Sequence, residues 1–303
     1  MPVLSIVIPC YNSAENIADL QIALEALAKQ INNYSLEIIL VDDGSKDDTY
    51  NKLIQFSETT DLKIIIVKLT GNFGSYNTFL AGLSYGTGDV YAHMHPDMQD
   101  PPEHLVEMLN YYEKGIKFVI GQRVEREDKN FNQLFAHFYH WLIKKIGLTH
   151  IPEGGYDLIL FDKALRNHVV NMNEKNANLV YLISWLQYPF VTVPITRISR
   201  KKGKSQWTFS KKSKLLFDSI VAFSYTPIRW MTYTSMFVFI ASIVFFIYLL
   251  FSNKLSIYLS LILFFGNLIL IFMSIVGEYL WRTLDAARNR PNFVVDKVQS
   301  NKS

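Results

Sequence analysis

Residues Gly88–Glu103 read GDVYAHMHPDMQDPPE. A short apolar run, Asp89 to Met94, has the length and composition of a buried strand. It stops among two histidines and two aspartates, and a Pro-Pro pair follows. In α/β proteins, functional side chains gather where a strand ends and its loop begins. Asp97, Gln99 and Asp100 therefore stand where a nucleotide, a metal and a substrate can converge. A plainer role exists for the aspartates, because Asp ahead of a Pro-started helix is a common N-cap. Asp100 is assigned that role, before a helix from about Pro101.

The chain on either side repeats the pattern. Leu4–Ile8, Leu36–Val41 and Ile64–Leu69 are short β-branched runs, and each leads into a polar or Gly-containing turn. Between them, apolar residues recur at helical spacing: Ile17, Leu20, Leu24 and Leu27 in one segment, Leu53 and Ile54 in the next, Leu80 and Leu83 in the third. Asn12 or Ser13 is expected to cap the first helix, and Asp47 or Asp48 the second. This β-α alternation predicts an α/β fold, a mostly parallel sheet with helices on both faces. Right-handed crossovers then bring Pro9–Asn12, Asp42–Ser45, Asn72–Gly74 and His95–Asp100 to one edge. Further strands are expected at Phe118–Gly121, Leu158–Phe161 and Val191–Ile195, with a polar loop at Gln122–Asn132 and an aromatic helix at Phe131–Ile146.

The 303 residues allow a large α/β domain with an appendage. The single cysteine, Cys10, excludes an internal disulfide and a thiolate metal cluster, and its apolar setting predicts a buried, inert thiol. Met1–Pro9 lacks the basic segment and the longer apolar run of a signal peptide. Seven Lys or Arg lie between Arg200 and Lys214. Their place ahead of two long apolar runs favours a surface facing anionic headgroups over nucleic-acid binding. Leu215–Phe223 then reads as an amphipathic interfacial helix. Met231–Phe251 and Leu255–Gly277 carry no charge, and each is long enough to cross a bilayer. Only Ser252-Asn253-Lys254 separates them, so both outer ends are expected on one side. Arg229, Arg282, Arg288 and Arg290 flank those ends, which places them in the cytoplasm.

The acidic edge lacks a Walker or dinucleotide Gly-rich loop, a Ser nucleophile elbow and a Cys–His signature. Carboxylates with few fixed cations suit Mg²⁺ or Mn²⁺ carrying a diphosphate. A metal so placed acts as a Lewis acid on a departing nucleoside diphosphate.

The segments SIVIPCYNSAENI, EIILVDDGSKDDT, GNFGSYNTFLAGL, HPDMQDPPE, RKKGKSQW, FSYTPIRW and GEYLWR…RP follow one another in this order. Together they resemble the family 2 glycosyltransferases with a GT-A catalytic domain. The likeness is greatest to the polyprenyl-phosphate type, which includes the bactoprenol glucosyltransferases and dolichol-phosphate mannose synthase. The resemblance runs from about Leu4 to Pro291. It implies inverting transfer of a sugar from a UDP- or GDP-linked donor to a polyprenyl (undecaprenyl) phosphate. It also implies a multi-pass inner-membrane protein with its catalytic domain in the cytoplasm, working as a homo-oligomer with a lipid-linked sugar flippase as a partner. The implied division is a catalytic domain at 1–208, juxtamembrane helices at 209–229, two membrane helices within 230–281 and a cytoplasmic tail at 282–303.

By the same resemblance Pro9, Tyr11, Asp42 and Asp43 hold the nucleoside. Asp97 and Gln99 hold the metal and donor diphosphate, with His95 as a third candidate ligand. Asp157 faces the acceptor, and Arg200, Lys201, Lys202 and Lys204 hold its phosphate. Asp97 and Asp157 are the catalytic candidates. A lipid phosphate is already anionic, so aligning two anions and neutralising their repulsion matters more than a strong base.

Four positions depart from the family pattern. His95-Pro96-Asp97 replaces Asp-x-Asp, Ser13 replaces an acid, Ile159 an Arg and Gln206 a Lys. An imidazole suits Mn²⁺ better than Mg²⁺. Two other functions fit the same residues. One is transfer to a lipid-linked saccharide hydroxyl, with Asp157 as general base. The other is a non-catalytic membrane scaffold that binds a nucleotide sugar.

Overall fold

The computed structural model describes residues 1–123, 158–172, 182–183, 185–196, 226–249 and 255–302. Its first half alternates strand and helix: β1 (Val3–Cys10), α1 (Ile17–Gln30), β2 (Ser35–Asp42), α2 (Thr49–Thr59), β3 (Lys63–Leu69), α3 (Ser75–Tyr85), β4 (Val90–His93), α4 (His104–Glu113) and β5 (Phe118–Arg123). Beyond it lie β6 (Leu158–Asp162), α5 (Lys163–Asn171) and β7 (Val191–Ile195), then two long helices, α6 (Thr226–Leu249) and α7 (Leu255–Ala287), and a last strand, β8 (Val295–Ser300).

The strands form an eight-stranded sheet in the order β7-β5-β6-β4-β1-β2-β3-β8. β1 is central and pairs in parallel with β2 and β4. β6 runs antiparallel to both β4 and β5, and β8 antiparallel to β3. Strand residues alternate between two cores, as the pleat requires. Leu4, Ile6 and Ile8 join Leu20, Leu24, Phe56 and Met108 on one face. Val7, Ile39 and Val41 join Phe79, Leu83, Tyr91, Phe161 and Leu165 on the other. α3 lies so close to the sheet that a Cβ on Gly82 would come within 2.3 Å of the Val7 side chain.

α2 starts behind Asp48, as expected, whereas α1 and α4 start elsewhere than expected. α1 begins at Ile17 behind Asn16, and neither Asn12 nor Ser13 caps it. Both of those residues bond to the α2 loop instead. α4 begins at His104, and the side chain of its N-cap residue, Glu103, makes no capping bond. The Pro101–Glu103 turn closes through backbone bonds, from His104 N–H to Pro101 O and from Leu105 N–H to Pro102 O. Asp100 lies ahead of this turn and is buried.

Residues 1–212 and 291–303 make one compact unit, and 213–290 make another. The expected tail at 282–303 therefore divides: from Pro291 onward it belongs with the sheet. In the second unit, Phe264–Ala287 of α7 is long and apolar enough to cross a membrane. Phe264, Ile269, Leu270, Ile271 and Met273 are exposed there. Charged residues return at Glu278, which pairs with Arg282 at 3.1 Å one turn on.

Candidate active site

Register places the first two loops side by side. Cys10 at the end of β1 is opposite Asp42 at the end of β2, and the Asp43 N–H continues the ladder to Cys10 O at 2.9 Å. Pro9 pairs with Val41 one step earlier, and Tyr11 begins the loop. Four bonds then join this loop to the one after β2. Asn12 N–H donates to Ser45 Oγ at 3.0 Å, and Asn12 Oδ1 accepts from Lys46 N–H at 2.9 Å. Ser13 N–H reaches Thr49 Oγ1 at 2.7 Å, and Ala14 N–H reaches Asp47 Oδ2 at 3.2 Å. Asn12 adopts φ +48, a left-handed conformation that Asn tolerates better than most residues.

The two aspartates of the second loop do different things. Asp42 is fully buried; its Oδ1 accepts Ser45 N–H at 3.2 Å, and its Oδ2 has no hydrogen-bond partner among the described residues. Asp43 is committed to the third loop: Phe73 N–H donates to its Oδ1 at 2.7 Å and Gly74 N–H to its Oδ2 at 3.1 Å. Burial pushes the Asp43 carboxyl above its ordinary value and Asp42 adds to this, while bonds from Phe73, Thr78 and Gly74 pull against them. Asp43 thus shapes the loop ahead of α3, a role that its neighbourhood to Asp42 in sequence does not reveal.

The fourth loop follows β4. Val7 pairs with His93, and Met94 N–H donates to Val7 O at 3.1 Å, so the loop emerges beside the end of β1. His95, Asp97 and Gln99 are half-buried. Asp97 Oδ1 accepts Gln99 N–H at 3.3 Å, a turn in which Met98 takes φ +52. The rings of Phe79, His93 and His95 stand edge to face in series, with centroids 4.7 and 4.6 Å apart. Among the described residues no three His, Cys, Asp or Glu side chains gather as a metal cage. Asp157, Arg200, Lys201, Lys202 and Lys204 lie outside the described residues, as do the polar loop from 124 on, the aromatic helix and the interfacial helix.

Cys10 is buried as expected, and burial, with Asp42 beside it, raises its thiol well above the usual range. Sequence pattern alone does not single out Asn12 as a loop tie, nor Thr49 or the β8 segment. An Asn two residues past a strand end is the available sign for the first.

A doubly wound sheet with acidic loops at its carboxyl edge is the GT-A architecture of glycosyltransferases. The chain belongs to glycosyl transferase family 2, whose profile matches residues 5–181. An uncharacterized glycosyltransferase of Synechocystis is 30% identical, over 97% of this chain and 95% of that protein. A prophage bactoprenol glucosyl transferase homolog of Escherichia coli K12 is 28% identical, over 98% and 99%. Among solved structures, glucosyl-3-phosphoglycerate synthase of Mycobacterium tuberculosis in complex with Mn²⁺, UDP and glucosyl-3-phosphoglycerate superposes with a TM-score of 0.51, at 15% identity, over 73% of this chain and 78% of that one. The protein is a glycosyltransferase.

Proposed function

We propose that this enzyme moves a sugar, with inversion, from a nucleotide-sugar donor to a polyprenyl phosphate at the cytoplasmic membrane face. The observation that carries the proposal is its likeness to a bactoprenol glucosyl transferase homolog along 98% of the chain, apolar helices included.

The donor side is built from the first, second and fourth loops. Asp42 Oδ2 is a buried acceptor with no partner among the described residues, the state in which a bound nucleoside N–H or hydroxyl completes the site. Pro9 and Tyr11 line the same strand end. Asp43 acts at one remove, by holding the third loop.

The donor set fits a divalent cation that arrives on the diphosphate: one strand-end carboxylate and neutral donors, with no protein cage among the described residues. Asp97, Gln99 and His95 would hold it; a divalent cation is in keeping with the Mn²⁺ bound by a solved neighbour of the same fold. Such a cation offsets charge on the leaving diphosphate. Asp97 also orders its own loop through the Gln99 N–H. The acceptor phosphate is assigned to Arg200, Lys201, Lys202 and Lys204, with Asp157 on the same side.

Chain connectivity supports two membrane crossings. β8 pairs with β3, so the segments before and after the long helices share a sheet and a side of the bilayer. Crossings between them come in even number. If α7 crosses, α6 crosses too, and the flanking arginines set the sheet in the cytoplasm. The sugar would then reach the far leaflet through a lipid-linked sugar flippase.

The test is transfer by the purified full chain in detergent. Labelled UDP- and GDP-sugars are mixed with undecaprenyl phosphate and Mg²⁺ or Mn²⁺. Label entering the lipid fraction with one donor is the expected result. No lipid label with any common donor sinks the proposal.

A further inference from the structure

We infer that β8, the strand after the last long helix, is a positioning element of the donor site, with Thr70 and Asn301 as the residues through which it acts. The inference rests on the donor-site assignment above and concerns a segment that the assignment does not use.

β8 is fastened to β3 at both ends. At the start of β3, Asn301 Oδ1 accepts Ile64 N–H at 2.8 Å, and Asn301 Nδ2 donates to Ser57 O and Leu62 O, each at 2.9 Å. Lys302 Nζ donates to Asp61 O close by. One side chain thus ties the α2–β3 turn to the chain end. At the finish of β3, Thr70 N–H donates to Val294 O at 3.0 Å, and its hydroxyl reaches the same oxygen at 3.4 Å. Between these points the ladder runs from Ile65↔Ser300 to Lys68↔Lys297, then shifts, so that Leu69 meets Val295. Asp296 is the extra residue of this bulge and pairs with Lys68 at 3.6 Å. Bulges re-aim the strand beyond them.

The third loop of the candidate site begins directly after Thr70. Gly71 packs under Gly44 of the second loop, and the Phe73 and Gly74 amides bind Asp43. The loop is therefore held on one side by Asp43 and on the other by the Thr70–Val294 bond. With glycines at 71 and 74, it has little stiffness of its own. Removing β8 leaves β3 as a bare edge and the loop without the bond that fixes Thr70 at its start. The segment leaving the last long helix is in this way part of what shapes the nucleotide end of the site.

Two variants of the full chain test this: one ended after Arg290, and Asn301→Ala. Amide hydrogen exchange is measured first, without nucleotide. Faster exchange at Phe73 and Gly74 is expected in both variants. Donor KM is expected to rise about tenfold with kcat changed less, within the span of coupling between linked sites. Adding a peptide of residues 291–303 to the shortened chain should restore both. Faster exchange confined to β3, with Phe73 and Gly74 and donor KM unchanged, would overturn the inference and leave β8 a simple edge cover. If the shortened chain does not fold, Asn301→Ala decides alone. If the intact protein binds neither UDP nor GDP, the donor-site assignment fails, while exchange at Phe73 and Gly74 still decides the coupling.

Discussion

The carboxylate of Asp43 accepts the backbone N–H of Phe73 at 2.7 Å, across thirty residues of chain, and that of Gly74 at 3.1 Å. Each oxygen serves one amide, so Asn cannot replace Asp without turning an NH₂ against an N–H. Asp43→Asn is expected to lose about 1–3 kcal/mol, the cost of a buried donor left unmet. Weaker nucleotide binding should accompany it, because the third loop loses an anchor. Denaturant unfolding and calorimetric titration check the two effects. Since burial holds this carboxyl above its ordinary value, its ionisation in the fold costs stability as pH rises through that folded value. The Asn variant should lack that decline.

Gly44 carries φ +65, and a Cβ placed on it would lie 2.6 Å from the Gly71 carbonyl carbon and 2.7 Å from its Cα. Both the conformation and the space exclude a side chain. The left-handed backbone alone costs Ala about 1–2 kcal/mol. Backbone against backbone cannot be relieved by a rotamer change, so Gly44→Ala should also part the second and third loops. A lower Tm together with weaker nucleotide binding is expected. Unchanged nucleotide binding would show that these loops do not shape the site.

Much of this architecture was legible because it depends on local pattern. Ile6, Ile39 and Ile66 sit in apolar runs that only a doubly covered sheet can bury, and the polar turns after them mark one edge. β8 was not legible. Its bulge breaks the two-residue alternation between Val295 and Val298, and its partner strand lies more than two hundred residues away. Nor did the pair Asp42-Asp43 disclose its division of labour. Two adjacent carboxylates in a loop look alike until the fold shows that Phe73 and Gly74 reach only one of them. Asp97 could be placed in its loop from sequence because a strand end precedes it, whereas the start of α4 at His104 depends on how the Pro101–Glu103 turn closes.

Glu37 lies fully buried near the start of β2, toward the opposite edge of the sheet. It accepts the Ser5 hydroxyl at 2.5 Å, the Thr87 N–H and hydroxyl at 2.7 Å each, and Lys63 Nζ at 2.9 Å. Burial pushes its carboxyl up, but these bonds together hold it below its ordinary value. Its stabilisation is therefore present above the unfolded glutamate pKa and lost as pH falls through the folded one. Glu37→Ala should cost about 3 kcal/mol, since it leaves the buried Ser5 and Thr87 donors unmet. The variant should also show a flatter fall in Tm on acidification. A fall as steep as that of the parent would count against the network.

The resemblance to the family leads one to expect a carboxylate at His95, whose ring is edge to face with His93 at 4.6 Å. An imidazole tolerates Mn²⁺ and serves Mg²⁺ poorly, whereas a carboxylate serves both. If His95 is a ligand, His95→Asp should raise the ratio of Mg²⁺- to Mn²⁺-supported kcat/KM by about tenfold, within the range for changes around a metal. Titration of Mn²⁺ by its paramagnetic resonance signal, with UDP present, gives a second readout. An unchanged ratio and unchanged Mn²⁺ affinity would remove His95 from the ligand set.

The pairing of β8 with β3 also makes the membrane topology testable by thiol labelling, because the native thiol is silent. Cys10 is wholly buried, and burial with Asp42 beside it holds the thiol protonated far above the usual range. Glu58 on α2 and Lys297 on β8 are exposed and belong to one sheet domain, so cysteines there should behave alike. Asn253 falls in the three-residue stretch between the two apolar runs. With an impermeant maleimide added outside spheroplasts, Asn253→Cys should react at once, and Glu58→Cys and Lys297→Cys only after permeabilisation. If Asn253→Cys also waits for permeabilisation, the stretch between the helices never leaves the side of the sheet. The even count of crossings is then zero rather than two, and α7, despite its length, lies on the membrane or against another chain.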